Sequence, residues 1–269
     1  RVKFDISSLE KKFPHVGVRH LLMELEIPLP PKRQGWSSEK FLGICKLISE
    51  NKRNPDLPFK IGADPEFEVY QGETFIPAHR TFLERGGTRG RVGVDGDGDI
   101  GEIRPSPGSP EKVVKNIAKL LKKIRNNFPF DYELKSGSGR HRSIGGHIHF
   151  GQKLTFSSSP SPVLLEKMDE FISQPLNEKS NSSIRLHYGE MSSYRRQPHG
   201  WEYRTPCSWI AHPKIARGVL AIAYCLSQME DSKLEKIISR DNLFQAMGIR
   251  EKYAQEFYSI LEHTESLEK

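Results

Sequence analysis

Residues 60–69 read KIGADPEFEV, a stretch in which acidic residues alternate with apolar ones. If this stretch is a β-strand, Asp64, Glu66 and Glu68 lie side by side on one face, because side chains two residues apart point the same way. Three adjacent carboxylates repel one another unless a positive group lies between them, and divalent cations are the expected partners of carboxylate oxygens. The stretch therefore predicts either a metal-binding sheet face or a solvated acidic edge strand.

Two histidines form a second pattern of this kind in residues 145–151, which read GGHIHFG. His147 and His149 are two residues apart and would face the same side of a strand. The flanking glycines permit bends and allow a ligand to approach the backbone closely. The pair is typical of a ligand-binding strand, although two histidines on an exposed strand face would give the same pattern.

A Glu-x-Arg pair occurs twice, at Glu102-Ile-Arg104 and at Glu202-Tyr-Arg204. In a strand, both side chains of such a pair face one side, so the carboxylate is placed to bind a metal and the guanidinium to bind a phosphate or carboxylate. A single pair is usually a surface ion pair. Two copies among strands that carry acids and histidines favour a functional site.

Other local patterns are less specific. Arg185, Arg195 and Arg196 are predicted to lie in an aromatic-containing loop, either as phosphate-binding residues or as solvated side chains. Residues 95–99 read DGDGD, but the spacing and the terminal glutamate of an EF-hand are absent. The chain has no P-loop sequence and no Gly-x-Ser-x-Gly nucleophile motif.

The composition indicates a globular protein with an anionic partner. The 269 residues include 36% hydrophobic and 28% charged residues, and the formal net charge is +7. This charge favours nucleotides, phosphorylated substrates or nucleic acid as partners. The three cysteines are far apart, which argues against a disulfide framework or a thiolate zinc site. No apolar run is long enough to span a bilayer, so we expect a soluble, cytoplasmic protein without a membrane partner.

The order of predicted elements indicates an α+β fold. Helices are predicted over residues 8–26, with a break at Pro14, and from Ser38 to Asn51, with a proline-rich link between them. The predicted strands are 59–70, 74–76, 91–94, 100–104, 131–134, 143–151, 184–188 and 200–204. Helices are predicted from Ser109 through Ile124, from about Pro162 to Ile172, and through the chain after about Pro213.

Taken in the order in which they occur along the chain, the sequence motifs resemble those of the glutamine synthetase-like amidoligase superfamily. The closest resemblance is to the phage-type carboxylate–amine ligases, and it is found in GADPEF (62–67), EIRP (102–105), GGHIHFG (145–151) and EYRTP (202–206). The resemblance implies a curved antiparallel sheet, like that of glutamine synthetase and glutamate–cysteine ligase, with helices packed on one face. It divides the chain into a helical N-terminal extension (1–58), a catalytic core (59–210) and a helical C-terminal part packed on the core (211–269).

The resemblance also implies roles for individual residues. It places Mg²⁺ or Mn²⁺ ions among a ring of ligands drawn from Asp64, Glu66, Glu68, Asp95, Glu102, His147 and Glu202. The family usually has Glu at the first acidic position, where this chain has Asp64 and adds Glu68, so which two of Asp64, Glu66 and Glu68 are ligands stays open. ATP phosphates would contact His149, Arg185, Arg195 and Arg204. Glu66, Glu102 and Arg204 would serve catalysis. The chemistry also needs a group that deprotonates the incoming ammonium, and an acid beside the metals, Asp97 or Glu68, is the candidate.

The reaction that the resemblance implies is ATP-dependent amide formation between a carboxylate and an amine through an acyl phosphate. Magnesium and arginine would neutralise the charge that develops on the γ-phosphate. Two alternatives stay open: a basic nucleic-acid-binding protein with a degenerate site, and a metal-dependent hydrolase that uses the same ligands. A substrate attached to nucleic acid and an oligomeric state are compatible with these interpretations.

Overall fold

A computed structural model describes residues 6–12, 35–51, 60–151, 159–180, 185 and 188–268. The chain forms two compact units, residues 1–59 and residues 60–269. In the first unit the described helices are α1 (Ile6–Lys12) and α2 (Ser38–Asn51). The second helix confirms the prediction from Ser38. The proline-rich link and most of the helix predicted over 8–26 lie outside the described residues.

The second unit is built on one antiparallel sheet of eight strands. Its strands are β1 (Lys60–Gln71), β2 (Thr74–Ile76), β3 (Val92–Val94), β4 (Gly101–Ile103), β5 (Tyr132–Lys135), β6 (Gly146–Gly151), β7 (Tyr194–Gln197) and β8 (Gly200–Tyr203). The strand order is β3-β4-β1-β6-β8-β7, and β2 and β5 also pair with β1. The mixed helix and antiparallel-sheet class predicted from the sequence is therefore confirmed.

The sheet has one apolar and one polar face in its central strands. Residues at alternate positions of β1, β6 and β8 are buried and apolar: Ile61, Phe67, Ile148, Phe150, Trp201 and Tyr203. The rings of Phe150 and Trp201 stack with their centroids 4.1 Å apart. Since neighbouring residues in a strand face opposite sides, the acids and histidines between these positions project from the other face.

Helices complete the second unit. They are α3 (Pro110–Asn127), α4 (Pro162–Met168), α5 (Gln174–Asn177), α6 (Pro213–Ser227), α7 (Asp231–Leu234), α8 (Arg240–Met247) and α9 (Glu251–His263). Helix α3 begins as predicted, because the Ser109 hydroxyl accepts a hydrogen bond from the Lys112 amide. Both α3 and α9 pack on α6, and α3 also contacts β1. Among the described helices, none is long and apolar enough to cross a membrane.

A π-helical turn, Asp169–Ser173, joins α4 to α5. The buried Asp169 carboxylate accepts hydrogen bonds from the Tyr203 hydroxyl and from both the amide and the hydroxyl of Ser192. Ser192 has a φ of 59°, in the left-handed region that residues other than glycine seldom adopt. The carboxylate thus holds a strained residue just before β7.

Two predictions near this turn were wrong. Residues 194–197 were expected in a loop, yet they form the strand β7 and pair with β8. Most of β7 is exposed, so its YRRQ sequence lacks the apolar alternation that indicates a strand. The strand expected at 184–188 is also absent at its described positions, because Arg185 lies in a helical turn and Tyr188 in a bend.

Helices α6 to α9 belong to the same compact unit as the sheet.

Candidate active site

The candidate site lies on the polar face of the sheet, where strand pairing brings acids and histidines together. Asp64 in β1 is paired with His147 in β6, and Glu66 in β1 is paired with Glu102 in β4. Residue Glu202 in β8 lies next to this group, with a carboxylate oxygen 3.5 Å from His147 Nδ1. Backbone register therefore unites motifs that are up to 138 positions apart in the chain, as the spacing from Asp64 to Glu202 shows.

His147 lies at the centre of the group. Its Nδ1 atom is 3.6 Å from an oxygen of Asp64, 3.9 Å from one of Glu66 and 3.5 Å from one of Glu202. Burial alone would lower the pKa of His147, but the hydrogen bond and charge of Asp64 and the charge of Glu66 raise it. The ring thus sits among carboxylates that favour its positive form.

Glu66 and Glu102 face each other across β1 and β4, and both are buried. Burial, together with the charge of Asp95, raises the pKa of Glu66 to about 7, against the opposing effect of His147. Burial and the charge of Asp64 raise the pKa of Glu102 far above its usual range. Arg104 contacts Glu102, but its guanidinium also donates to the backbone carbonyls of residues 90 and 94. The two carboxyl groups of Glu66 and Glu102 therefore have one guanidinium group beside them, and backbone carbonyls share it.

Asp64 has one satisfied and one unsatisfied oxygen. Oδ2 is 2.9 Å from His149 Nε2, whereas Oδ1 is buried, accepts no hydrogen bond and lies 3.6 Å from His147 Nδ1. Burial acts to raise the pKa of Asp64, but the neighbouring His147 and His149 hold it well below its usual range. A buried carboxylate oxygen without a hydrogen-bond partner is costly, so Oδ1 is a clear candidate for a bound cation.

His149 connects Asp64 to the edge of the site. Its Nδ1 atom is 3.1 Å from Nε2 of His199, which lies in the β7–β8 turn. Burial and the neighbouring His149 lower the pKa of His199. The resemblance implied that His149 contacts ATP, but in the structure both of its ring nitrogens have protein partners.

Glu202 is held by cationic and amide side chains. Its carboxylate, fully buried, accepts hydrogen bonds from Arg195, Gln197 and Arg204. Burial acts to raise the pKa of Glu202, but the Gln197 hydrogen bond and the charge of His147 lower it. The resemblance implied a metal ligand at this position, and in the structure the carboxylate binds the guanidinium groups of Arg195 and Arg204.

Glu68, a predicted metal ligand, has partners different from those of Asp64 and Glu66. It is fully buried, and its two oxygens accept hydrogen bonds from the consecutive amides of Arg140, His141 and Arg142 and from the Tyr70 hydroxyl. A carboxylate that accepts several amide hydrogen bonds is already stabilised without a metal. Glu68 shares the strand pattern of Asp64 and Glu66 but holds the 140–142 loop instead of joining their cluster.

Arg185 and Asp97 also lie apart from the cluster. The Arg185 guanidinium donates to the carbonyl oxygens of Thr205 and Pro206 and to the Asn177 side chain. Asp97 is exposed in the turn before β4, where its carboxylate accepts from the Asp99 amide. The phosphate contact predicted for Arg185 and the deprotonating role predicted for Asp97 stay predictions.

The comparisons with known proteins agree with the ordered motifs. The family model described as phage phiEco32-like COOH.NH2 ligase-type 2 matches residues 61–268. The chain belongs to this ligase family. The matched region includes the whole sheet and its helices, with every residue of the candidate site.

A solved structure with low sequence identity is also similar to the chain. One similar solved structure is a bifunctional glutathione synthetase from Pasteurella multocida, with 9% sequence identity and a TM-score of 0.46. The match covers 81% of this chain and 49% of the synthetase chain, so the ligase-family chain spans about half of that protein's length. No curated protein sequence matches the chain.

The donor atoms of this family member suit a hard divalent cation. Asp64 Oδ1 accepts no hydrogen bond, and Glu66 and Glu102 are buried with too little positive charge nearby. In the part of the chain that the structure describes, no three acidic, histidine or cysteine side chains surround one metal position. Mg²⁺ commonly binds through one or two carboxylates and completes its shell with water and substrate phosphates, so the residues fit Mg²⁺ better than zinc.

Tyr188 is a member of the site that the motifs did not reveal. Its hydroxyl is 2.6 Å from His147 Nε2 and 3.5 Å from Glu66 Oε1. The sequence shows Tyr188 only as an aromatic residue between arginines, and it belongs to no recognised motif. The sequence feature that could have indicated Tyr188 is its closeness to Arg185, whose guanidinium lies against the Tyr188 ring in the structure.

Proposed function

We propose that this protein is an ATP- and Mg²⁺-dependent carboxylate–amine ligase that forms an amide through an acyl phosphate. The family supports the ligase class. The observation that most supports metal dependence is Asp64 Oδ1, a buried carboxylate oxygen that accepts no hydrogen bond and has His147 Nδ1 only at 3.6 Å. We also propose that the sheet is of the glutamine synthetase-like amidoligase type, as the motif order suggests.

The proposed metal-binding residues are Asp64, Glu66, Glu102 and His147, with Asp95 close enough to affect the charge of both glutamates. When bound, Mg²⁺ or Mn²⁺ would neutralise phosphate charge and act as a Lewis acid. With the metal bound, the carboxylates of these side chains would stay ionised. A bound metal would stabilise the ionised forms of Glu66 and Glu102, whose pKa values are raised by burial and by neighbouring carboxylates.

Arg195 and Arg204 are the proposed phosphate-binding residues. Both donate to the buried Glu202, which fixes their direction. Arg195 remains 57% exposed, and thus has room to contact a ligand at the edge of the site. A guanidinium offers five N–H donors in a planar arrangement, so contact with Glu202 leaves donors for phosphate oxygens.

The reaction proceeds in two balanced steps. An oxygen of the substrate carboxylate attacks the γ-phosphorus of ATP, and the bond to the β,γ-bridging oxygen breaks. ADP is the leaving group, and the acyl phosphate remains in the site. The nitrogen of the neutral amine then attacks the acyl carbon, the bond between that carbon and the phosphate oxygen breaks, and the departing phosphate takes the proton that the nitrogen releases. The substrates are therefore a carboxylate and an amine, either free or attached to a polymer.

The test is ATP turnover with an ¹⁸O label. Purified protein is incubated with ATP, Mg²⁺ and a panel of amino acids, peptides and polyamines that includes nucleic-acid-linked carboxylates. We expect ADP and phosphate release only when a productive carboxylate is present, with one ¹⁸O transferred from that carboxylate to phosphate. Hydrolysis of a substrate without ATP, or salt-sensitive nucleic-acid binding without turnover, would contradict the proposal.

Two variants make the assay specific. Glu102→Gln removes a proposed ligand, and we expect at least about a hundredfold loss of turnover, in the range found when catalytic charge stabilisation is removed. Glu73→Gln is the matched control, because Glu73 is exposed and contacts only the side chain of Arg140 at 3.9 Å among the ion pairs of the described residues. Equal turnover in both variants would remove Glu102 from the mechanism.

A further inference from the structure

Tyr188 contacts three residues of the candidate site, and its ring also lies against Arg185. Its hydroxyl lies between His147 Nε2, at 2.6 Å, and Glu66 Oε1, at 3.5 Å. The guanidinium carbons of Arg185 and Arg204 lie 5.3 Å and 5.6 Å from the centre of its ring. Two cations against one aromatic ring attract it by cation–π interaction and limit its rotation. The hydroxyl therefore has a fixed position relative to His147.

The direction of the hydrogen bonds follows from the chemistry of the three groups. A tyrosine hydroxyl has a single proton, and an ionised carboxylate only accepts hydrogen bonds. When Tyr188 donates to Glu66, its oxygen accepts from the Nε2–H group of His147. The other ring nitrogen, Nδ1, is then the atom directed at the oxygens of Asp64 and Glu202.

Gly145 supports this arrangement. A Cβ atom at this position would lie 2.6 Å from His147 Nε2, which is too close, and 3.1 Å from the Tyr188 ring, which is a tight contact. A side chain at position 145 would therefore displace the imidazole that meets the hydroxyl. The Gly145 amide in turn donates to Glu66 at 2.7 Å, so backbone and side chains converge on the same small volume.

We infer that Tyr188 is a positioning residue that holds the His147 ring so that Nδ1 faces the cation-binding side of the cluster. The inference rests on the proposed metal-dependent function. Histidines that bind metals usually give their second ring N–H to a fixed partner, and loss of that partner weakens metal binding about 10- to 100-fold. Here the partner is a phenol, itself fixed by Arg185 and Arg204.

The test measures Mn²⁺ binding to the full chain without nucleotide, with free Mn²⁺ followed by electron paramagnetic resonance. Tyr188→Phe removes the hydroxyl but keeps the ring between its two arginines. We expect its Kd for Mn²⁺ to rise about 10- to 100-fold. Tyr194→Phe is the matched control: it also removes one hydroxyl, on the exposed edge strand β7, and its Kd should stay within about twofold of the parent.

A double-mutant cycle separates positioning from general structural loss. If Tyr188 acts through His147, adding Tyr188→Phe to His147→Ala should not change the Kd for Mn²⁺ further. Three results would overturn the inference: a Tyr188→Phe Kd within about twofold of the parent, an equal additional loss in the His147→Ala background, or no Mn²⁺ binding by the parent.

These outcomes are distinct from those of the ligase test. A parent protein whose Mn²⁺ binding depends on Tyr188, but which never consumes ATP with any carboxylate and amine, would overturn the proposed ligase activity and support the positioning role. ATP-dependent amide formation with unchanged Mn²⁺ affinity in Tyr188→Phe would do the reverse.

Discussion

The two Glu-x-Arg strands have the same motif but opposite electrostatic environments. Glu202 is surrounded by donors, with Arg195, Gln197 and Arg204 on its carboxylate, and its pKa is lowered. Glu102 contacts Arg104 but faces the carboxylate of Glu66 across the sheet, and its pKa is raised, chiefly by burial. The neighbours in the sheet, and not the motif, determine the charge that each glutamate keeps.

This difference separates two tasks within one site. The carboxylate of Glu202 is balanced by two arginines, which it holds in place. Glu102 and Glu66 have the guanidinium of Arg104 beside them, which backbone carbonyls share, so this region suits a bound cation. A repeated motif therefore need not repeat its role. Under the proposed function, residues of β1, β4 and β6 hold the metal, and the phosphate-binding arginines are Arg195 in β7 and Arg204 directly after β8.

The largest expected effect is on folding stability in the matched pair Glu202→Gln and Glu102→Gln. Glu202→Gln leaves Arg195 and Arg204 without their buried counter-charge, and we expect the free energy of unfolding to fall by about 3 kcal/mol. Glu102→Gln removes a carboxylate that burial disfavours, and we expect no loss, or a gain of up to about 1 kcal/mol. Urea unfolding of metal-free protein measures both. Equal destabilisation of the two variants would contradict the assigned difference.

The second-largest expected effect is the pH dependence of the free energy of unfolding in metal-free protein. The folded-state pKa of Glu66 is about 7, above its ordinary value of 4.5, so between these values the folded state binds more protons than the unfolded state. Stability should therefore fall as pH rises from 5 to 7.5, by on the order of 2 kcal/mol. Glu202, with a lowered pKa, has the opposite sign: its contribution is present above 4.5 and is lost only at lower pH.

The Glu66→Gln variant is the control for this slope. Unfolding by urea at pH 5, 6 and 7.5 should show a decline in the parent and a flatter dependence in the variant. A stability that rises across this range in both proteins would show that Glu66 is not the carboxyl with the raised pKa.

The smallest expected effect concerns Arg195, the more exposed of the two arginines on Glu202. Its replacement by Ala leaves Arg204 and Gln197 on the carboxylate, so the free energy of unfolding should fall by about 0.5 to 1 kcal/mol. The proposed function predicts a separate rise in the KM for ATP, measured by ADP release. A stability loss as large as that of Glu202→Gln would indicate that Arg195 alone balances the buried charge.

The sequence predicted the central strands well because their pattern has a direct physical cause. Apolar residues at every second position of β1, β6 and β8 form the buried face, and the residues between them form the polar one. The same periodicity failed for β7, an exposed edge strand whose pairing depends on β8 and leaves little trace in its own residues.

Glu68 and Tyr188 show why the site could be predicted only in part. Strand periodicity places Glu68 with Asp64 and Glu66, but the 140–142 loop, distant in sequence, supplies the amides that bind it. Tyr188 enters the site through a bend with no regular periodicity. Spacing within a strand predicts which face a side chain occupies, whereas the partners of that side chain depend on how distant segments meet.

The amide cluster around Glu68 has a consequence for hydrogen exchange. The amides of Arg140, His141 and Arg142 lie in a surface turn, where exchange with solvent deuterium is usually fast. All three donate to one fully buried carboxylate, so opening the turn exposes that carboxylate and breaks three hydrogen bonds together. These amides should therefore exchange as slowly as those of β1, which makes a surface loop part of the cooperative core of the sheet.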